Sequence, residues 1–287
     1  MRVLLINNGI HIKNLNALLQ YSNITLDIIV SPYLDGIDLS KIDVVYSPCS
    51  PIDVKKYPNT KFLFGPHFSV FPEKQQMDII RGDNATYIHP SNWARDVWRN
   101  NPLCNNIRIE ALPFGVDINK FNEIKPIKER SKVFIYFKRR PPHELTLIYN
   151  FLKKNGYEPI IFNYVTKYSE NEYIEYLHNS KFGVWLDAHE SQGFALQEAL
   201  ACNVPLLVWN ATSMNQEHGS NYEDIPCSTI PYWNDKCGEY FINVEELPNK
   251  YNKLIQDIEH YNPRQFILDN LSIKKCDEKF TNLIKTI

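Results

Sequence analysis

Hydrophobic residues in this chain come in short bursts separated by polar or amphipathic stretches. The bursts at residues 3–6, 26–30, 44–46, 62–64 and 87–88 read as strands. Between them, residues 12–20, 73–80 and 92–99 carry helical periodicity, and Ser91 stands where the last of these helices needs a cap. Residues 122–131 break the rhythm: they are charged, contain Pro126 and show no period, which predicts a linker. The alternation then resumes with strand 133–137, helix 144–153, strand 159–162 and helix 170–179. Strand 182–186, a helix opening near Gly193, strand 204–208, strand 228–231 and helices 244–259 and 274–285 complete it. Strands alternating with helices predict an α/β fold whose parallel sheets are covered by helices. The expected organisation is an N-terminal domain over 1–121, a linker over 122–131 and a C-terminal domain over 132–287.

Bulk composition narrows the class without naming a function. Hydrophobic residues at 44% and charged residues at 22% are those of a globular chain. A net charge of -2 gives no general electrostatic reason to bind nucleic acid or an anionic membrane. The six cysteines, at 49, 104, 202, 227, 237 and 276, form no C-x-x-C pair and no zinc spacing. They read as reduced, packed residues, which fits a cytoplasmic protein. The opening apolar run is too short for a signal peptide, and no window reaches the length of an integral membrane segment.

Candidate chemistry concentrates in one stretch, from Glu190 through Gly193, Phe194 and Glu198 to Pro205. Its context is strand, loop, helix, strand, with the helix opening near Gly193. A helix opening offers backbone N–H groups and the positive end of the macrodipole, which suits an anion. Glu190 lies in the loop ahead of that opening and Glu198 about a turn inside the helix. Two acceptor groups flanking an anion site suit a ligand with phosphates in the middle and hydroxyls at both ends, the layout of a nucleotide sugar.

These residues resemble the signature of the family 4 glycosyltransferases of the GT-B fold: a Glu, seven residues, a second Glu, then Ala-x-Ala-x-x-x-Pro, with Gly third after the first Glu. Glu190, Gly193, Glu198, Ala199, Ala201 and Pro205 occupy those places. A second segment, Pro113 to Phe121, is similar to the Gly-Val-Asp-x-x-x-Phe stretch that ends the family's first domain. There Gly115 permits a sharp turn and Asp117 can cap the turn that follows. The resemblance implies two Rossmann-like domains facing each other across a cleft, with acceptor on the first and donor on the second. It also implies that the last helix packs back on the first domain. The first half is shorter than in typical family members.

The resemblance further implies roles. Glu190, with the backbone after Gly193, would hold the donor sugar, and Glu198 the ribose. The family places an Arg after the first strand of the second domain and a Lys some residues later; this chain has Lys138-Arg139-Arg140 in a row, then His143 and Glu144. Cations at that strand end can neutralise a departing diphosphate; a solvated patch is the plain alternative. Position favours Lys138 and Arg139 over Arg140. His67 follows a strand in a Gly-Pro turn and is either a family-like group beside sugar and acceptor, titrating near physiological pH, or a turn residue. Gly9 resembles the family's glycine loop near the phosphates, although a strand-ending turn explains it as well. Glu217 is a further candidate. His189 beside Asp187 and Glu190 invites a metal reading, but no partner motif supports one, and the chain lacks Asp-x-Asp.

The expected activity is therefore transfer of a sugar from a UDP- or GDP-sugar donor to a glycan, lipid-linked or protein acceptor, with retention of configuration. No cofactor, metal or nucleic-acid partner is expected. Two alternatives remain open at this level: another GT-B enzyme, such as a nucleotide-sugar epimerase or a phosphorylase, and a non-catalytic scaffold binding nucleotide sugar or glycan.

Overall fold

A computed structural model describes residues 1–21, 26–166 and 168–287. The chain forms two compact units, Met1–Gly115 with Ile273–Ile287, and Val116–Ser272. Each is an α/β unit built on a parallel sheet, as the alternation predicts.

The first unit has a six-stranded sheet from β1 (Arg2–Ile6), β2 (Asp27–Ser31), β3 (Val44–Ser47), β4 (Phe62–Phe64), β5 (Ala85–His89) and β6 (Arg108–Ala111). The order is β2-β1-β3-β4-β5-β6, parallel throughout. Central strands β3, β4 and β5 are buried at every residue, and their apolar positions form the bursts seen in the sequence, although Ser47, Thr86 and His89 are buried with them. Their side chains meet Met77 of α2 (Lys74–Ile80) and Trp98 of α3 (Asn92–Arg99) in one core. Tyr87 stacks on Trp98 with ring centroids 4.4 Å apart. Helix α1 (Ile12–Tyr21) contributes Tyr21, and the last helix of the chain, which belongs to this unit, sets Phe280 5.8 Å from both Tyr21 and Tyr46.

Three expectations for this unit need correction. Strand β6 was not foreseen, because its four residues include three polar or small ones and only Ile109 is deeply buried. Ser91 occupies the cap position of α3, yet its Oγ is buried and makes no cap bond. Gly115 does not have a left-handed backbone; a Cβ there would lie 2.6 Å from the Cα of Ile273, so close approach is what requires glycine.

The second unit has a five-stranded parallel sheet of β7 (Lys132–Lys138), β8 (Ile160–Asn163), β9 (Ser180–Asp187), β10 (Leu206–Trp209) and β11 (Gly238–Phe241), ordered β11-β10-β9-β7-β8. Val133, Ile135, Phe182, Val184, Leu207 and Phe241 form its core with Leu152 of α4 (Pro142–Lys154) and Leu254 of α7 (Leu247–Gln256). Helices α5 (Glu170–Asn179), α6 (Phe194–Ala201) and α8 (Pro263–Asn270) complete this unit, and α9 (Ile273–Thr286) is the final helix of the first. Asp117 accepts hydrogen bonds from the amides of Asn119 and Lys120, the capping role expected of it. Residues 122–131 contain a short 3-10 turn, Ile127–Glu129, and the buried Arg130, which donates to the Cys202 carbonyl at 3.0 Å. The two ends of the unit meet: Val116 N–H donates to the Leu271 carbonyl at 2.8 Å, and Val116 pairs with Ser272.

Residues 228–231 are not a strand. The strand in that region is β11, which the sequence disguises by opening on Gly238 and a buried Glu239. Gly238 has φ +129°, and a Cβ would run into the Leu206 backbone of β10. The helix expected over 244–259 is shorter and starts at Leu247, with Pro248 in its first turn. Among the described residues no helix is long and apolar enough to cross a membrane. All six cysteines are free.

Candidate functional site

Ligands of open parallel sheets bind beyond the carboxyl ends of the strands, where neighbouring connections diverge. In the second unit that point lies between β7 and β9, since the sheet continues from β7 to β8 on one side and from β9 to β10 on the other. The two strand ends are in register, Lys138 opposite Asp187. Three ionisable groups converge there: Lys138 forms an ion pair with Glu190 and lies 3.7 Å from Asp187 Oδ2. Tyr164, just past β8, presents its ring 4.9 Å from the Lys138 ammonium. A segment from across the sheet props up the loop: Glu190 N–H donates to the Ser228 carbonyl at 3.0 Å, and Thr229 Oγ1 donates to the Ala188 carbonyl at 2.8 Å.

Helix α6 opens directly behind Glu190. Gly193 is its N-cap in a left-handed conformation, φ +77°, so the cap position itself carries no side chain. Phe194 is the first helical residue, and Glu198, within the helix, is buried. The Tyr168 hydroxyl, pushed up to about 12 chiefly by burial, feels the charges of both Glu198 and Lys138. Thus Glu190, Gly193, Phe194, Glu198 and Lys138 come together at one strand-to-helix junction.

The other cations behave differently. Arg139 adopts φ +51°, a left-handed backbone uncommon outside glycine, and its half-exposed side chain pairs with Glu217 at 3.2 Å. Glu217 also sits 3.1 Å from His189 Nε2, so the acidic residue downstream of β10 does reach the site. Arg140 turns inward: its guanidinium is buried, paired with Glu144 at 2.7 Å and 5.0 Å from the Trp209 ring. The structure does not bring Arg140 to the Lys138 cluster. Among the described residues no group of three or more His, Cys, Asp or Glu side chains is placed to hold a metal ion.

Electrostatics divides the cluster. Burial pushes the Asp187 carboxyl well above the usual range; Lys138 opposes this, and neighbouring Glu190 adds to it. Glu190 is also penalised by burial, but the Lys138 ammonium, with help from the neighbouring Asp187 carboxyl, outweighs that and leaves it below its ordinary value. Lys138 is held above its ordinary value because Glu190 and Asp187 outweigh its desolvation. Burial lowers His189 despite the opposing pull of Glu217. Asp187 is the member of this cluster that motif reasoning passed over, although a carboxylate closing an otherwise apolar strand was a usable signal.

Gly9 and His67 belong to the first unit, at the corresponding edge of its own sheet. Gly9 follows β1 with φ +121°, and neighbouring Asn8 donates to Ser50 Oγ at 2.7 Å. His67 N–H donates to the Pro48 carbonyl after β3, and Asn14 Nδ2 donates to its Nε2 at 2.9 Å. An accepting Nε2 requires the neutral Nδ1–H tautomer. Burial, reinforced by His11, lowers His67 to about 4, so it does not titrate near physiological pH as the sequence suggested. His89, on β5, is lowered further, to about 3, by burial and by His67.

No family model matches the chain, and no curated protein matches it in sequence. Solved structures match it in fold. A sucrose-phosphate synthase from Thermosynechococcus elongatus aligns over 100% of this chain and 98% of its own, with TM-score 0.56 and 12% identity. The lipopolysaccharide outer core galactosyltransferase WaaB, in its apo form, aligns over 100% and 99%, with TM-score 0.60 and 14% identity. A Staphylococcus aureus TarM variant aligns over 84% of this chain and 56% of its own, with TM-score 0.53 and 16% identity. Likeness at this level of identity establishes the fold: the chain has the α/β architecture of the GT-B glycosyltransferases.

Proposed function

We propose that this protein is a retaining glycosyltransferase that moves a sugar from a nucleoside diphosphate sugar to an acceptor hydroxyl without a metal ion. The observation that carries the reading is the junction of β9 and α6, where Lys138, Glu190 and a helix start opened by Gly193 meet, with Glu198 just inside the helix. A diphosphate at the helix start gains the macrodipole and the Lys138 charge. Arg139 adds a second cation once it leaves Glu217. Glu198 then accepts hydrogen bonds from the ribose, and Glu190, with the Gly193 and Phe194 amides, orients the sugar. Positive charge fixed beside the leaving diphosphate stabilises the charge that builds up as the glycosidic bond breaks. His67, neutral, and Gly9 are the first unit's own candidate groups, for an acceptor and a phosphate respectively. Arg140 has no ligand role here, because it is committed beneath the site to Glu144 and Trp209.

A complex of the TarM neighbour holds UDP and alpha-GlcNAc-glycerol, which makes UDP-sugars the first donors to try and a glycan-type hydroxyl the first acceptor. The test is thermal stabilisation by UDP- and GDP-sugars and free nucleotides in the presence of chelator. A ligand that binds only the folded state raises Tm by mass action. One nucleotide series should raise it, and Glu198→Ala should weaken that nucleotide by ~10- to 100-fold, the value of lost hydrogen bonds to a charged group. A folded Glu198→Ala protein with unchanged nucleotide affinity would sink the ribose assignment.

A further inference from the structure

The roles above employ Lys138 and Glu190 and leave Asp187 without a task. Asp187 is 0% exposed and closes a strand whose preceding residues, Val184, Trp185 and Leu186, are all core. An ionised carboxylate in such a place costs several kcal/mol unless it is matched by charge and hydrogen bonds. The cluster offers one positive charge, Lys138, for two carboxyl groups. If both ionise, the site is left with net negative charge and two acceptor oxygens facing each other.

Counting donors locates the missing proton. Asp187 Oδ1 accepts from the Ala188 amide at 2.7 Å. Its Oδ2 is buried and has no hydrogen-bond donor among the described residues, Lys138 standing beyond bonding distance at 3.7 Å. The Glu190 carboxylate is the acceptor neighbouring Asp187, since Glu190 Oε1 and Asp187 Oδ2 both gather at the Lys138 ammonium. A proton on Oδ2 converts two clashing acceptors into a donor and an acceptor and makes the trio electrically neutral.

We propose that Asp187 is a positioning residue of this site, whose carboxylic acid donates a hydrogen bond to the Glu190 carboxylate and holds it in place. Lys138 is then able to turn towards a ligand phosphate without releasing Glu190, because the second tether remains. The upward push on Asp187 and the downward pull on Glu190 agree with the proton lying on Asp187. The charged and titratable groups around the pair are Lys138 and Tyr136 of β7, Arg139 after it, and His189 in the loop that carries Glu190. Thr229 Oγ1, 3.2 Å from the Asp187 carbonyl, pins the backbone from the other side.

The positioning role rests on the glycosyltransferase reading; the shared proton does not. Infrared difference spectra at pH 7 between wild type and Asp187→Asn should therefore show a protonated carboxyl band that belongs to Asp187 and shifts in heavy water. Its absence overturns the proposal whatever the protein binds. Asn retains one donor and one acceptor in the same shape, whereas Asp187→Leu retains neither. Donor-nucleotide affinity in Asp187→Asn should stay near wild type and, unlike wild type, should not fall at alkaline pH. Asp187→Leu should lose ~10-fold or more, as for a lost hydrogen bond to a charged group. Equal losses in the Asn and Leu variants overturn the proposal. If no nucleotide binds any variant, the functional reading fails and the infrared band alone decides the proton.

Discussion

Replacing Lys138 by Met tests the charge balance at the strand ends directly. Methionine keeps most of the side-chain length and apolar stem but removes the ammonium. Lys138 and Glu190 are only 14% and 18% exposed, so the pair is largely shielded from water. Breaking a buried pair from one side typically costs ~3–5 kcal/mol, because the remaining charge is left unmatched. The slight exposure of both groups places the expected loss near the lower end, about 3 kcal/mol. The double variant Lys138→Met/Glu190→Gln removes both charges and should recover about 2 kcal/mol of that loss, because no unmatched charge of the pair is left buried. The assay is urea unfolding followed through tryptophan fluorescence, with Trp185 lying on β9 beside the site. Its pH dependence has a defined sign. Glu190 is lowered in the folded protein, so its contribution is present above its unfolded value and vanishes as pH falls through the folded one. The gap between wild type and Lys138→Met should therefore close in acid. A single variant that loses less than about 1 kcal/mol at pH 7, the range of exposed pairs, would refute the reasoning.

Two further predictions concern the remainder of the fold. Gly238→Ala drives a Cβ into the Leu206 backbone at a φ of +129°, so in place of the gain of up to ~1 kcal/mol that alanine brings at a compatible site it should lower stability by more than ~1 kcal/mol, with a Tm drop visible by calorimetry. A variant that melts like wild type would show that β11 can slide away from β10. In an NMR titration, His67 should protonate with a midpoint of about 4. Because that value is depressed, its contribution to stability is complete above the ordinary histidine value and is lost as pH falls towards 4. His67→Gln should flatten part of the acid slope, and the buried His89 supplies a further part. A His67 midpoint near 6.5 would contradict the neutral, Asn14-bonded ring.

Residues 62–64 and 92–99 were legible to the last position because their burial is complete or strictly periodic, and local pattern then equals tertiary role. Strands β6 and β11 were not, since β6 carries Arg108 and Glu110 and β11 opens on Gly238 and Glu239, so each is held by its neighbours rather than by its own hydrophobicity. Glu239 shows the difficulty: a charged strand residue becomes buried only because Lys250, Lys253 and Tyr261 gather round it. The same division holds at the site. Glu190, Gly193 and Glu198 lie within one turn-and-helix segment, so spacing along the chain reveals them. Lys138 and Glu190 stand 52 positions apart, and Arg139 and Glu217 stand 78 apart. No periodicity encodes such meetings; they follow from the order in which strands enter the sheet. Arg140 illustrates the opposite failure, since three adjacent cations look equivalent until one is seen folded under Trp209.

The chain leaves the first unit after Gly115 and returns to it only at Ile273. The second unit is thus an uninterrupted insertion whose entrance and exit are stitched together by Val116, Leu271 and Ser272. During vectorial synthesis it can mature from contiguous chain as soon as it clears the ribosome. The unit that begins first must wait until last, with Tyr21 and Tyr46 lacking Phe280 against them until α9 has been made. A premature stop just before Ile273 would therefore spare every residue around Lys138 and Glu190 while stripping the earlier unit of its closing helix. Damage at the far end of the message would surface as a chaperone burden on the opening half of the protein.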